Sequence, residues 1–452
     1  MELYPGKNQC MIKEIRVKDP DVSMSAWLVA RGNRQAERTS FMKCTAIIAE
    51  YNPFHNGHAW QIAEAKRLTG ADFILVLMSG DYVQRGAPAL FDKHIRTEMA
   101  LLGGADVVLE LPCTFSLGSS PVFAGGAISL LDALGCVNAL CFGSEYGEIA
   151  PFLSLAGLLL SEPDSFRELL QKNLRSGLSF PAARSKALEE YLKNDPSALP
   201  FGQPEELRSF LSRPNNILGL EYCMALLSLN SPIEPVTLLR KGSSYHDQEL
   251  TSFPSASALR NAVREKKEDR FLSSGVPENV FPVLQSAKEQ QGALFEDDFS
   301  LLLAAVLQKE TRESLASYLD VSVDLANRIY NNRFSCSHFQ DFTFLLKTRE
   351  LTLTRISRAL MHILLGIKKA ETPSYLRILG FRKSAGPLLK AMSCHSALPI
   401  IAKAANADRI LPKEAADSFA GGISASLLYE TVRSQKYNLP FVHELEKPLI
   451  II

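Results

Sequence analysis

Residues 45–68, TAIIAEYNPFHNGHAWQIAEAKRL, decide the fold. The first five of them, 45–49, carry no charge and have two isoleucines at their centre, which is typical of a buried strand. A polar turn, 50–58, follows at once, and apolar residues then recur at helical spacing with charged residues between them. The stretch therefore predicts a strand, a turn and a helix, with the chemistry in the turn.

Three residues of this turn, His55, Gly57 and His58, suit phosphate binding. A helix N-terminus carries unpaired N–H groups and a partial positive charge, and Gly57 lacks the Cβ that would keep a triphosphate from the backbone. Two histidines three apart at a helix start can donate hydrogen bonds to phosphate oxygens. An isolated pair of this kind is more often two solvated side chains. Its position between a buried strand and a helix favours phosphate binding.

The string 50–58, EYNPFHNGH, resembles the signature of the HIGH-type nucleotidyltransferases, and more narrowly that of the bacterial tRNA(Met) cytidine acetate ligase family. The resemblance covers nearly all of the chain after residue 41. It implies that ATP and acetate are substrates and that acetate is activated as acetyl-adenylate. It also implies transfer of the acetyl group to N4 of the wobble cytidine of elongator tRNA(Met), giving N4-acetylcytidine.

The resemblance further implies which residues act in the site. His55 and His58 are expected to be catalytic. The residues expected to bind ATP are Ile48, Ala49, Glu50, Tyr51, Asn52, Pro53, Phe54, His55, Asn56, Gly57, His58, Gln61, Gly143, Asn215, Arg240, Ser257 and Arg260. Asn216 stays open as the alternative to Asn215, because helix capping would explain one of these two amides. Mg²⁺ is expected to accompany ATP without a dedicated protein site, and no ligand is predicted for it.

Further apolar runs at 72–78, 106–111, 138–142 and 235–239 alternate with helical patterns. This alternation predicts an α/β fold with a doubly wound parallel sheet, Rossmann-like and of the HIGH-type by resemblance. Ligands bind where the carboxyl ends of such strands meet. The cations Arg85, Lys93 and Arg96 could reach anionic groups there, although each is individually more typical of a surface cation.

After residue 265 the alternation stops and helices dominate. We therefore predict an ATP-binding catalytic domain at 42–265 and a mainly α-helical, locally basic C-terminal domain at 266–452. Residues 1–41 mix charge, proline and glycine without periodicity, and the resemblance begins at Met42. They are predicted to be an extension outside the family fold, and an arm that packs on the protein is the alternative.

The charges of the chain balance, with 49 Lys and Arg against 49 Asp and Glu, so a nucleic-acid surface must be local. The stretch 351–390 is such a region, because Glu371 is its one acidic residue. The predicted tRNA contacts are Arg355, Arg358, Arg377 and Lys383. Tyr375 and Phe381 could stack on unpaired bases. A solvated basic helix face is the alternative interpretation.

The 8 cysteines are scattered without a CxxC pair, which favours a reducing compartment and argues against a zinc site. No apolar run is long enough to cross a bilayer, and no signal core is found. We therefore expect a cytoplasmic protein without a membrane partner.

Two other functions remain open at this point. One is a nucleotidyltransferase that makes a small nucleotide cofactor, which would give the basic stretch no purpose. The other is a catalytically idle RNA-binding or assembly factor, which would predict loss of the histidine motif. Both histidines and Gly57 are present.

Overall fold

The computed structural model describes residues 42–178, 180–195, 200–240, 255–335, 337–369 and 371–452. The predicted extension 1–41 lies outside them. The described chain forms two compact units, which we call the main unit (42–141 with 240–452) and the inserted unit (142–239). The predicted functional boundary after residue 265 falls within the main unit and stays a prediction.

The strands are β1 (Cys44–Ala49), β2 (Phe73–Ser79), β3 (Tyr82–Val83), β4 (Ala87–Pro88), β5 (Val107–Leu111), β6 (Ala139–Ser144), β7 (Glu234–Leu239), β8 (Leu376–Phe381), β9 (Ile400–Ile401) and β10 (Ile450–Ile451). In the main unit the order across the sheet is β10-β8-β5-β2-β1-β6, and β9 pairs with β8. β1 is parallel to β2 and β6, and β2 is parallel to β5. The central strands are continuous apolar runs because helices cover both faces of a parallel sheet.

The predicted α/β class is confirmed, but the sheet is mixed rather than wholly parallel. β8 runs antiparallel to β5. This strand lies in the stretch where the sequence predicts helices and a tRNA surface, so that prediction is wrong for residues 376–381. The run LRILGF has neither a helical nor an alternating pattern, and such short apolar runs do not identify their own secondary structure.

The α-helices of the main unit before residue 142 are α1 (Asn56–Thr69), α2 (Lys93–Leu102), α3 (Cys113–Ser116) and α4 (Ser120–Ala133). Those of the inserted unit are α5 (Ala150–Ser161), α6 (Asp164–Arg175), α7 (Phe180–Asn194), α8 (Pro204–Ser212) and α9 (Pro214–Ser228). The rest of the main unit contains α10 (Ala256–Arg264), α11 (Asp269–Gly275), α12 (Phe281–Ser286), α13 (Ser300–Leu307), α14 (Arg312–Leu315), α15 (Val323–Asn332), α16 (Phe339–Leu346), α17 (Leu353–Leu365), α18 (Gly386–His395), α19 (Ala407–Ile410) and α20 (Lys413–Tyr437).

The C-terminal helices share one hydrophobic core. Four of these helices each contribute a side chain that is at most 3% exposed: α13 contributes Leu303, α15 Leu325, α17 Ile356 and α20 Tyr429. The predicted dominance of helices after residue 265 is therefore confirmed, with β8, β9 and β10 as exceptions. Among the described residues, no helix combines the length and the apolar character needed to cross a membrane.

The inserted unit has an aromatic core of its own. Phe152 contacts Phe142 and Phe210 edge-to-face, with ring centroids 5.5 and 4.7 Å apart. At the end of β6, Ser144 Oγ accepts a hydrogen bond from Thr237 Oγ1 of β7 at 2.8 Å. This contact holds the carboxyl end of β6 in place next to β7.

Candidate active site

The two motif histidines cap α1 reciprocally. His55 is the N-cap residue, and its Nδ1 accepts a hydrogen bond from the Gly57 N–H at 3.0 Å. In return, His58 Nδ1 accepts from the His55 N–H at 3.3 Å. A ring nitrogen that accepts is unprotonated, so the proton of each neutral ring is on Nε2. Both histidines therefore keep an Nε2–H that can donate to a ligand.

This capping changes one prediction about phosphate binding. The backbone N–H groups of His58 and Ala59 donate to His55 O at 2.9 and 3.2 Å, and that of Gly57 donates to the His55 ring. The N–H groups at the start of the helix, which the sequence predicts to be unpaired, are therefore bonded to the N-cap residue at these three positions. The imidazole Nε2–H groups and the partial charge of the helix remain available.

The two imidazole rings are stacked, with centroids 3.6 Å apart and planes inclined by 21°. Burial, with smaller contributions from the positive charges of Arg240 and Arg260, lowers the pKa of His55 to about 3. The pKa of His58 is well below its usual value because of burial, with smaller contributions from His55 and Arg240. Both rings are therefore neutral hydrogen-bond donors in the free protein at neutral pH.

Gly57 has a local reason to be glycine. A Cβ at this position would lie 2.9 Å from His55 Cε1 and 3.1 Å from its Nδ1. Any side chain would therefore push the capping imidazole out of position. The close approach of a triphosphate to Gly57 stays a prediction.

A second segment of the main unit holds the motif turn. Arg260 on α10 donates from Nη1 to Asn52 O at 2.7 Å and from Nη2 to Ser257 Oγ at 2.9 Å. Ser255 is the N-cap of α10 and accepts from the Ala258 N–H at 3.2 Å. Arg260 thus joins α10 to the motif turn, and its charge acts on His55.

Arg96 fixes the turn from inside the protein. Its side chain is fully buried and donates to three backbone carbonyls of the strand ends, at 2.7 Å to Glu50 O, at 3.0 Å to Ser79 O, and to Gly80 O. It also donates to Phe91 O at 2.9 Å. The prediction that Arg96 reaches an anionic ligand is wrong, because these carbonyls take its donors. The sequence does not reveal this role, since burial of a cation leaves no local pattern.

The prediction for Lys93 is also wrong. Its ammonium is fully buried and lies 2.7, 2.9 and 3.4 Å from the carboxylates of Glu110, Glu444 and Asp81. These three carboxylates balance its charge. Arg85 is exposed, so it alone of the three predicted cations lies at the surface.

The predicted ATP-binding residues in and beside the motif form a buried group and a partly exposed group. Tyr51, Asn52, Pro53, Phe54 and His55 are buried, whereas Ile48, Ala49, Glu50, Asn56, Gly57, His58 and Gln61 are partly exposed. Asn52 Oδ1 accepts from the Leu90 N–H at 2.7 Å, and Glu50 Oε1 accepts from the Gln84 N–H at 3.0 Å. Asn52 and Glu50 thus hold the turn in place, the partly exposed residues are accessible to a ligand, and His55 is 8% exposed.

In the inserted unit, Glu145 accepts hydrogen bonds from both asparagines that the sequence offers as ATP contacts. Its Oε1 accepts from Asn215 Nδ2 at 2.6 Å, and its Oε2 accepts from the Asn216 N–H at 3.1 Å. Asn216 is 2% exposed, and its amide bonds the Glu145 N–H and Phe210 O. The N-cap of α9 is Arg213, so the prediction that one asparagine caps the helix is wrong. Asn215 is the more accessible, which favours it over Asn216; Gly143 lies two residues before Glu145, on β6.

The four predicted tRNA contacts have different environments. Arg355 is partly exposed on α17, and Lys383 is exposed. Arg358 Nε lies 2.9 Å from Asp320 Oδ2, with its side chain 12% exposed. Arg377 is 5% exposed and pairs with Glu110 and Glu444, which conflicts with a contact to tRNA.

The aromatic part of that prediction is wrong for Tyr375, which is 5% exposed and packs against Phe419 with ring centroids 5.5 Å apart. A buried ring cannot stack on a base. Phe381, at the end of β8, is partly exposed.

Known proteins resemble this chain over most of its length. Residues 42–440 match the model of the HIGH Nucleotidyl Transferase family. The tRNA(Met) cytidine acetate ligase of Clostridium acetobutylicum is 40% identical over 372 residues, which is 81% of this chain and 91% of that protein. The one from Clostridium novyi is 38% identical over 410 residues, or 88% and 98% of the two chains.

A solved structure gives the same result for the fold. The crystal structure of Thermotoga maritima TmcAL bound with alpha-thio ATP superposes with a TM-score of 0.83 at 29% identity, covering 91% of this chain and 99% of that one.

Proposed function

Since the chain belongs to the tRNA(Met) cytidine acetate ligase family within the HIGH nucleotidyl transferases, we propose that it is an ATP-dependent ligase that acetylates the wobble cytidine of elongator tRNA(Met). An acetate oxygen attacks the α-phosphorus of ATP, and the bond from that phosphorus to the bridging oxygen breaks to release pyrophosphate. The N4 amine of the cytidine then attacks the acyl carbon of acetyl-adenylate. AMP leaves, and the amine loses a proton to solvent.

The capped start of α1 carries this proposal. His55 and His58 present two neutral Nε2–H donors at a helix N-terminus, where the partial positive charge favours phosphate. The rings need no proton transfer, because they stabilise charge that develops on the phosphate oxygens. Positioning and electrostatics supply the acceleration, and no covalent enzyme intermediate is required.

Arg260 and Arg240 supply the positive charge next to these rings. Both lower the pKa of His55 through their charges, so each lies close enough to act on an anion bound there. We propose that they bind phosphate oxygens, together with Ser257 at the start of α10. Gly143 and Asn215 are proposed to contact the adenosine. Mg²⁺ is proposed to enter with ATP, bound chiefly through its phosphates.

We propose that the tRNA contacts Arg355 and Lys383, and Arg358 if its pairing with Asp320 opens. Arg377 is not proposed as a contact because its charge is balanced inside the protein. A cytoplasmic location remains a prediction, and it agrees with a tRNA substrate.

Pyrophosphate exchange into ATP tests the reaction class. We expect exchange that depends on acetate and needs no tRNA, because adenylate formation precedes transfer. Exchange that depends on another metabolite would favour a small-molecule nucleotidyltransferase, and lack of exchange with every acid would favour an idle RNA-binding protein. Mass spectrometry of elongator tRNA(Met) incubated with the protein, ATP and acetate then tests the transfer. Unmodified wobble cytidine would contradict the proposed product.

A further inference from the structure

Three arginines of the stretch predicted to bind tRNA make contacts within the protein, whereas Lys368, Lys369, Lys383 and Lys390 are exposed. Arg358 pairs with Asp320, and Arg377 pairs with Glu444. Arg382 donates to backbone carbonyls of the main unit, among them Ala105 O at 3.0 Å. The C-terminal helices also carry arginines outside this stretch, among them Arg312 and Arg333.

Such a surface lies at the end of α15. The guanidinium carbon of Arg312 is 4.5 Å from the centre of the Tyr330 ring, and that of Arg333 is 3.7 Å from it. The Arg333 guanidinium carbon is also 4.5 Å from the centre of the Phe334 ring. We call these four side chains, Arg312, Tyr330, Arg333 and Phe334, the arginine–aromatic stack.

The stack ends in an exposed ring. Phe334 is 70% exposed, although burial of an aromatic ring is strongly favoured. The helices that carry the stack are fixed by Leu315, Leu325 and Ile329, which are fully buried in the helical core. The exposed ring is therefore presented on a firmly packed support.

Among the residues that the structure describes, no ion pair balances the positive charge of the stack. Arg312 Nη2 donates to the amide oxygen of Asn331 at 2.9 Å, and Arg333 Nη1 donates to the Tyr330 carbonyl. Within the described part of the chain, neither guanidinium lies within ion-pair distance of a carboxylate, and the charge of Arg312 makes only a small contribution to lowering the pKa of the adjacent Glu313. Both charges are thus available to attract a polyanion.

From this geometry we infer that the arginine–aromatic stack is a binding site for an unpaired nucleobase of the tRNA, which stacks on the exposed face of Phe334. Flat aromatic rings and guanidinium planes are the groups that bind unstacked bases in RNA-binding proteins. A base on Phe334 extends the stack by one ring, and the adjacent phosphates approach the two arginines. The inference rests on the proposed function, since it takes tRNA as the ligand.

A matched set of full-length variants tests the stack. Phe334→Leu keeps an apolar side chain but removes the flat ring, and Phe334→Trp enlarges the ring. Phe344→Leu is the control, because Phe344 is also well exposed, at 61%, but lies outside the stack. Each variant is titrated with elongator tRNA(Met) at fixed ionic strength and assayed for acetate-dependent pyrophosphate exchange.

We expect Phe334→Leu to weaken tRNA binding about tenfold, within the range for loss of one stacked base. Phe334→Trp should bind as tightly as the wild type or more tightly, and Phe344→Leu should bind like the wild type. Pyrophosphate exchange should be unchanged in all three, because adenylate formation does not need the tRNA. Wild-type affinity in Phe334→Leu, or an equal loss in Phe344→Leu, would overturn the inference.

Photocrosslinking locates the contact independently. Elongator tRNA(Met) that contains 4-thiouridine is irradiated with the protein, and the crosslinked peptides are identified by mass spectrometry. Crosslinks to the peptide that contains Tyr330 and Phe334 support the stack, and crosslinks confined to other peptides overturn it. If the wild-type protein acetylates the tRNA and Phe334→Leu binds the tRNA with wild-type affinity, the stack is refuted but the proposed function is not. A wild-type protein that neither binds nor acetylates the tRNA refutes the proposed function, and the stack with it.

Discussion

At the scale of single residues, the site depends on two histidines that the protein holds neutral. His55 and His58 cap α1 reciprocally through their Nδ1 atoms, and burial lowers the pKa of both. The sequence predicts the pair, the glycine between them and the phosphate chemistry from the turn alone. It does not predict that the rings take the helix N–H groups, because this depends on the side-chain rotamers.

The neutral state of His55 has a consequence for stability. Its folded pKa is lowered to about 3, so below about pH 6.5 the unfolded chain binds a proton that the folded chain does not. Stability is therefore lost as the pH falls from about 6.5 towards 3. We expect His55→Asn, which can still cap the helix, to lose about 1 kcal/mol less than the wild type between pH 7.5 and 5.5. Urea unfolding at the two pH values measures the difference, and equal losses would contradict a neutral His55.

At the scale of elements, the site consists of β1, the motif turn and α1. Arg96 of α2 fixes the turn by its hydrogen bonds to backbone carbonyls. The sequence predicts β1, β2, β5, β6 and β7 to within two residues, since their apolar runs are bounded by turn residues. It does not predict β8, because pairing with β5 from far along the chain leaves no local signal. It also does not reveal that Arg96 on α2 fastens the carboxyl ends of β1 and β2.

Arg96→Lys tests this fastening. A single ammonium cannot reproduce a guanidinium that donates to the carbonyls of Glu50, Ser79, Gly80 and Phe91. We expect the unfolding free energy to fall by about 2 kcal/mol, since buried carbonyls lose their partners. We also expect the KM for ATP in pyrophosphate exchange to rise roughly tenfold, because about 1.4 kcal/mol of positioning is lost.

The control for this change is Arg67→Lys on α1, where the arginine side chain is 66% exposed and pairs with Glu64. We expect it to leave both quantities unchanged. An unaltered KM in a destabilised Arg96→Lys protein would assign Arg96 to stability alone.

At the scale of the whole molecule, the C-terminal segment completes the unit that contains the ATP motif. β10 pairs with β8, and Glu444 Oε1 lies 2.9 Å from Lys93 Nζ and 2.7 Å from Arg377 Nη2. The charges of Lys93, early in the main unit, and of Glu444, near its end, thus balance each other inside the fold. The sequence predicts a boundary after residue 265 because the alternation of strands and helices stops there. It contains no pattern that shows β8 and β10 joining the sheet of the ATP motif.

Glu444→Gln tests the buried ion pairs. The neighbouring cations hold the pKa of Glu444 below its usual value despite burial, so its contribution is present above about pH 4.5 and is lost as the pH falls. We expect the variant to lose about 3 kcal/mol of unfolding free energy at pH 7, because two buried cations lose a partner. Glu446→Gln, at an exposed position, should lose almost nothing.

The difference between Glu444→Gln and the wild type should shrink when the pH is lowered below 4.5. Chemical unfolding at several pH values measures this. A difference that does not change with pH would contradict an ionised Glu444.

A fragment that ends at residue 265 tests the division of the chain. Residues 42–141 and 240–452 form one compact unit, so we expect the fluorescence of Trp60, the single tryptophan of fragment 42–265 and a residue of the main unit, to show no cooperative thermal transition in that fragment alone. Coexpression with fragment 266–452 should restore one. A cooperative transition in the first fragment alone would support the boundary predicted from the sequence.

The central claim is that the triphosphate of ATP binds where β1 gives way to α1, on the Nε2–H groups of His55 and His58. A crystal structure of this protein with a non-hydrolysable ATP analogue tests it most directly. We predict phosphate oxygens within about 3 Å of both Nε2 atoms. An analogue bound elsewhere, with both imidazoles free of it, would contradict the claim.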